Sequence, residues 1–194
     1  VMGDPLPDGE GNLCPSYMGF RFRLQETLEE AFPVLAEAGR QFGEIFGRSY
    51  EDIFYRYQAE DADFLFLTMG SLASEATETV DLLREEGIRA GVLGLRVFRP
   101  FPARQLTEAV EKARAVAVLE KSISYGYEGA LATELKAALF SHNGHHQPLV
   151  SNFILGLGGK DVKPRDLLDT AHETLQLAAT GVRQPKPRWY GYGI

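Results

Sequence analysis

The sequence holds one cysteine, Cys14, in 194 residues. A single thiol excludes an internal disulfide, an iron–sulfur cluster ligated by several cysteines of this chain, and any CxxC zinc site. Long apolar runs are also missing. The longest, at 64–69 and 115–119, fall far short of the roughly 20 residues that cross a bilayer. There is no basic excess, with 20 Lys+Arg against 27 Asp+Glu and a net charge of −7. That balance argues against nucleic-acid binding as the main function. The opening VMGDPLP has neither the charged nor the apolar region of a secretory signal, and with no disulfide framework the expected home is cytoplasmic. A chain opening on Val1 is consistent with a fragment or processed piece. Several motifs are lacking too: there is no GxGxxG, no GxxxxGK[ST], no GxSxG, and the only Gly-Asp pair, Gly3-Asp4, is followed by proline. Dinucleotide binding, a phosphate-cradling P-loop and a serine nucleophile elbow therefore have no support.

What is present is globular: 44% of residues are hydrophobic and 24% charged. The charge is uneven. Residues 1–60 carry eleven acids and five bases, whereas residues 61–194 carry sixteen and fifteen. Residues 1–20, rich in Pro and Gly, read as a loop or extended arm. Residues 21–47 read as a long helix, broken or bent near Pro33, with Leu24, Leu28, Phe32, Leu35, Phe42 and Phe46 at helical spacing and Gly47 as its stop. The aromatic patch DIFYRY (52–57) precedes a linker at 58–63.

From residue 63 the pattern becomes regular. Apolar strands are expected at 63–70, 88–98, 114–122 and 148–159, alternating with amphipathic helices at 74–87, 103–113, 129–140 and 165–180. Four repeats of apolar strand and helix imply an open, mainly parallel, doubly wound α/β sheet, too small for a closed barrel. The aromatic, proline-bearing tail 181–194 should lie along a surface.

In such a sheet, ligands meet the loops at the carboxyl ends of the strands. The candidate contacts there are Ser71, Arg96, Arg99, Lys121 and Ser122. The turn at Gly70-Ser71 can seat an anion on the following helix; alternatively Ser71 or Ser74 simply caps that helix. Arg96 and Arg99 can clamp a phosphate or carboxylate, or pin backbone at an element stiffened by Pro100 and Pro102. Glu120 and Glu128 can serve acid–base chemistry, although two acids in a loop prove little. His142, His145 and His146 form the one histidine cluster and read as a surface loop, while His172 has no evident partner. No catalytic apparatus is visible, and no metal site is assigned.

Three stretches carry a family likeness: MGSLASEATETVDLLREEGIRAGVLGLRVFRPFP (69–102), ARAVAVLEKSISYGYEGAL (113–131) and PLVSNFILGLGGKDVKPRDL (148–167). In this order, and with GRQFGEIFGRSYEDIF (39–54) upstream, they resemble the alpha subunit of 2-oxoacid:ferredoxin oxidoreductases of the pyruvate:ferredoxin oxidoreductase type. The resemblance implies a fold similar to the transketolase C-terminal domain over 61–180, with 1–60 as connector and end of a preceding thiamine-pyrimidine-type domain and 181–194 as tail. It implies oxidative decarboxylation of a 2-oxoacid to acyl-CoA and CO2, with electrons passing to ferredoxin. Thiamine diphosphate, Mg2+ and [4Fe-4S] clusters are expected in the full complex, none of them held by this chain. Other oxidoreductase subunits are the expected partners, with ferredoxin and coenzyme A reached through the complex; neither nucleic acid nor membrane is expected. The chain's own part would be architectural. Phe54, Tyr55, Tyr57, Trp189, Tyr190 and Tyr192 suit subunit contacts, or else pack on their own domain. Two alternatives remain: a stand-alone α/β anion- or coenzyme A-binding module, and a C-terminal domain of the transketolase or pyruvate dehydrogenase beta type.

Overall fold

Proline and glycine set the first breaks in the chain. The computed structural model describes residues 5–7, 10, 13–14, 16–48, 50, 52–142 and 146–192, so Val1, Gly3, Asp4 and His145 lie outside the described residues. The chain divides into two units, Val1–Ile53 with Arg99–Phe101, and Phe54–Phe98 with Pro102–Ile194.

In the first unit, β1 (Leu6–Pro7) pairs antiparallel with β2 (Leu13–Cys14), within the stretch expected to be irregular. Ser16 then caps α1 (Tyr17–Glu29), its hydroxyl accepting from Gly19 N at 3.1 Å, so the helix starts four residues before the expected position. The helix expected over 21–47, broken or bent near Pro33, is broken there into two helices, α1 and α2 (Ala31–Phe46). The break precedes Pro33 because a proline ring collides with the carbonyl four residues back, which is that of Glu29. Pro33 itself sits in the first turn of α2, where its missing N–H costs no helical bond. Gly47, with φ +68°, closes α2 by donating to Gly43 O, as expected. Phe42 stacks on Phe46 and Tyr50. Arg40 pairs with Glu37 and Glu44, and its hydrogen bond holds the Glu37 carboxyl down at about 2.

The second unit is a six-stranded sheet. It begins with β3 (Phe54–Tyr57), followed by β4 (Phe64–Met69), α3 (Leu72–Glu85), β5 (Ala90–Leu95), α4 (Ala103–Val110) and β6 (Ala115–Glu120). Then come α5 (Ala130–Ser141), β7 (Leu149–Ile154), a 3-10 turn (Leu157–Gly159), α6 (Pro164–Thr180) and β8 (Arg188–Trp189). The strand order is β3-β5-β4-β6-β7-β8; only β3 runs antiparallel to its neighbour. The four strands expected from the apolar runs are the four central ones, and the mainly parallel, doubly wound α/β class is observed.

Strand alternation separates the two faces. Phe64, Phe66, Val92, Ala117 and Phe153 join Ala76, Val80, Leu83, Leu167 and Ala171 in one core under α3 and α6. The opposite face carries Leu65, Leu67, Leu93, Val116 and Val118, with α4 and α5 packed together on that side. Two expectations change here. Residues 54–57 are not connector but an edge strand, with Phe54 opposite Leu95 and Tyr57 opposite Val92. The tail likewise contributes β8, which adds to β7 at Phe153 and Ile154.

Candidate functional site

The first parallel strand, β4, lies between β5 and β6, and the crossovers after β4 and β6 leave to opposite faces. A crevice opens at such a switch point, outside the carboxyl ends of the two strands. Here it is a cavity of about 160 Å³ lined by Met69, Leu119, Glu120, Lys121 and Ser122.

Three strand-end loops converge on Lys121. Gly70, at φ +66°, turns the chain from β4 to Ser71. Lys121 Nζ donates to Ser71 Oγ at 2.9 Å and pairs with Glu75 Oε1 at 3.3 Å, so it ties the turn after β6 to the start of α3. Gly156, at φ +69°, lets the Lys121 stem pass: an added Cβ would lie 2.9 Å from Lys121 Cε and 3.0 Å from Val162 Cγ2. The capping role expected for Ser71 is not observed. Ser71 occupies the N-cap position of α3, but its side chain makes no cap bond because its oxygen accepts from Lys121 instead. Of the five strand-end candidates, Ser71, Lys121 and Ser122 meet at the crevice. Arg96 follows β5 directly and is exposed, beside the register pair Met69 and Leu95. Arg99 belongs to the other unit, where its guanidinium lies 5.8 Å from the Phe101 ring centre.

Glu120 and Glu128 both prove nearly buried, and both are engaged. The Glu120 carboxylate accepts from Leu131 N (2.8 Å), Ala132 N (3.2 Å) and Asn152 Nδ2 (2.9 Å). It thus supplies, from β6, the acceptors that the first turn of α5 needs. Burial pushes its acidity toward a higher pKa, against the lowering effect of those three donors. Asn152 closes the network, its Oδ1 accepting from Gly129 N at 2.9 Å. Glu128 pairs with Lys136 and Thr133. With all its donors supplied by backbone and amide, Glu120 is a structural acceptor. Asn152, central to it, was missed in the sequence, where the signal was the polar pair Ser151-Asn152 inside the mostly apolar run PLVSNFIL.

The described histidines each have a separate contact. His142 Nε2 lies 3.8 Å from Glu111 and His146 Nε2 lies 3.0 Å from Ala113 O. His172 does have a partner, Glu86, at 2.9 Å. No group of three His, Cys, Asp or Glu among the described residues is placed to hold a metal. No helix among them is long and apolar enough to cross a membrane.

Of the aromatic contact candidates, Phe54 is 2% exposed, packed within its own sheet opposite Leu95. Tyr55, Tyr57 and Tyr190 pack against their own core. Tyr57 donates to Asp81 at 2.8 Å, and Tyr190 stacks edge-on against Phe153 at 5.8 Å and donates to Glu173. Trp189 and Tyr192 remain outward, at 44% and 69% exposure.

Comparison with known proteins gives one family and a set of close relatives. The family model for pyruvate:ferredoxin oxidoreductase core domain II matches residues 62–167. The ketoisovalerate oxidoreductase subunit VorA of Pyrococcus abyssi is 39% identical over 187 residues, 96% of this chain and 47% of that protein. The pyruvate synthase subunit PorA of Pyrococcus furiosus is 40% identical over 182 residues, 94% of this chain and 44% of that protein. The chain thus spans about half the length of these curated relatives. Among solved structures, the 2-oxoglutarate:ferredoxin oxidoreductase from Magnetococcus marinus, with 2-oxoglutarate, coenzyme A and succinyl-CoA bound, matches with a TM-score of 0.56 at 17% identity. That match covers 88% of this chain and 26% of that one; it speaks for the fold.

Proposed function

This chain belongs to the pyruvate:ferredoxin oxidoreductase family through its core domain II, and from that membership we propose that it is the non-catalytic α/β part of the alpha subunit of a thiamine diphosphate-dependent 2-oxoacid:ferredoxin oxidoreductase. The observation that carries the reading is where the family model falls. Residues 62–167 run from the entry to β4 into the start of α6, which is the doubly wound body of the sheet.

The residues present agree with an architectural part. The crevice at the switch point is smaller than the roughly 300 Å³ from which ligand pockets usually begin, and its one cation is already bound by Ser71 and Glu75. That engagement weighs against the stand-alone anion- or coenzyme A-binding module. One cysteine cannot supply the thiolates of a [4Fe-4S] cluster. The clusters are therefore assigned to other parts of the complex, and the family likeness puts thiamine diphosphate, Mg2+ and the contacts with ferredoxin and coenzyme A there too. The first unit needs cover of its own. α1 buries no residue and α2 buries only Gly39, while Tyr17, Met18, Phe20, Phe22, Ile45 and Phe46 stand exposed. An apolar surface of that kind marks an interface, and the rest of the subunit is the partner that fits.

The test is enzymatic and spectroscopic. Purified alone, the chain should neither decarboxylate pyruvate with a viologen acceptor nor absorb near the iron–sulfur band. Produced together with the remaining oxidoreductase subunits, it should co-purify with them and the assembly should be active. Decarboxylation by the isolated chain would overturn the proposal.

A further inference from the structure

At the opposite, amino end of the sheet lies a larger cavity, of about 350 Å³, lined by Lys136, Leu139 and Phe140 of α5, Gln147, Pro148 and Val150 at the start of β7, and Arg183 and Gln184 after α6. Its lining carries two cations and no acid. The size falls at the lower end of the range for small-molecule pockets.

Two of its donors, the Arg183 guanidinium and a backbone N–H, have unused capacity. Gln184 Oε1 accepts from Asn152 N at 2.7 Å, which fixes the orientation of the amide and makes its nitrogen the free end. That Nε2 is buried and has no hydrogen-bond partner among the described residues. The outer edge of β7 adds a backbone donor. Leu149 N and Leu155 N turn inward to Arg114 O and Glu120 O, whereas Asn152 N and Ile154 O turn outward to Gln184 and Tyr190. The alternation sends Val150 N–H outward as well, and β8 pairs only with Phe153 and Ile154. Arg183 has no hydrogen bond or ion pair among the described residues, while the charge of Lys136 is already matched by Glu128, so Arg183 is the cation left for a ligand. The carbonyl end of α5 would repel an anion, but Leu139 O already accepts from Gln147 Nε2 at 3.0 Å and from His142 N.

The rest of the wall is apolar. Phe140 is 85% exposed beside Leu139, Pro148 and Val150. We infer that this cavity binds a small organic anion, an apolar body carrying one carboxylate or phosphate, with Arg183 and Val150 N–H on the anionic group and Phe140 against the body. Such a site is separate from the strand-end crevice and does not depend on the proposed role of the chain.

Amide NMR titration of the isotopically labelled chain tests it with four probes. Phenylphosphate and phenylacetate carry both features, inorganic phosphate lacks the body, and benzyl alcohol lacks the charge. At least one of the two aromatic anions should saturate, with shifts centred on 136–140, 147–150 and 183–184, and their relative affinity tells phosphate from carboxylate. Arg183→Ala should weaken that binding at least tenfold and Phe140→Ser about fivefold; both side chains lie at the surface, so neither change threatens the fold. Three results would overturn the inference: no saturation by either aromatic anion at millimolar concentration, equal binding of inorganic phosphate, or shifts centred elsewhere.

Discussion

Gly129 stands where a methyl group has no room. An added Cβ would lie 1.7 Å from Glu120 Oε2, although the backbone there, φ −67° and ψ 143°, is one any residue adopts. The glycine is required by the buried carboxylate, not by the turn. Gly129→Ala should therefore push Glu120 off the Leu131 and Ala132 amides and cost roughly 2–3 kcal/mol, measured by urea unfolding. The Glu120→Ala, Gly129→Ala double variant should lose less than the sum of the two single variants, because the collision is shared. Glu120 also makes a pH prediction. Burial raises its folded pKa above the ordinary value of 4.5. The native state then holds its proton longer than the unfolded chain does, so this group's contribution is present below that value and is lost as pH rises through the folded pKa. Relative to Glu120→Gln, whose amide does not titrate, the wild type should lose stability on going from pH 4.5 upward. Paired urea titrations across that interval check the sign; a difference that grows with pH in favour of the wild type would refute it.

At the scale of elements, β5 is built for close approach on both sides. Gly91 lets the Gln58–Ala59 backbone cross it, since a Cβ there would sit 2.5 Å from Gln58 O, and Gly94 lets α3 settle, since a Cβ on Gly94 would sit only 2.7 Å from Ala73 Cβ. Gly94→Ala should lift the first turn of α3 and cost about 1–3 kcal/mol. Adding Ala73→Gly should restore much of the loss despite the roughly 1 kcal/mol helix cost of that glycine. Chemical denaturation of the three variants decides the matter: if the double variant is no better than Gly94→Ala, helix contact is not what the glycine serves. These devices also explain which elements could be read from the chain. The runs FLFLTM and AVAVLE are strands on pattern alone, because a strand covered on both faces must be apolar throughout. β3 and β8 carry no such signal. FYRY and RW are short edge strands whose place is set by pairing with β5 and β7, which composition does not encode. The crevice residues show the same division. Ser71, Lys121 and Ser122 were legible as strand-end loop residues, but the Lys121–Ser71 bond spans 50 residues of sequence, and only the strand order brings it about. Asn152 and the donors around Arg183 depend on such distant meetings as well.

For the whole molecule, the position of β3 decides where one unit ends and the next begins. A boundary at 60 would cut Phe54–Tyr57 away from the sheet, leaving the β5 edge unpaired and uncovering Phe54, which is fully packed. The Arg84 guanidinium extends the same tie, donating to Gln58 O and Asp61 from within α3. By contrast, α1 and α2 bury almost nothing within their own unit, and helices of their length gain little stability without packing. The free chain should therefore open at 17–46 long before the sheet does. Brief digestion with a protease of broad specificity should remove this segment and leave a resistant fragment whose first residue lies between 47 and 54 and whose end lies beyond Trp189, as read by mass spectrometry. In the presence of the other oxidoreductase subunits, cleavage within 17–46 should slow at least tenfold if those exposed apolar side chains are covered there. A resistant fragment starting between 58 and 63 would place β3 with the connector and defeat this assignment. Unchanged cleavage in the assembled enzyme would remove the reason for calling the helical surface an interface.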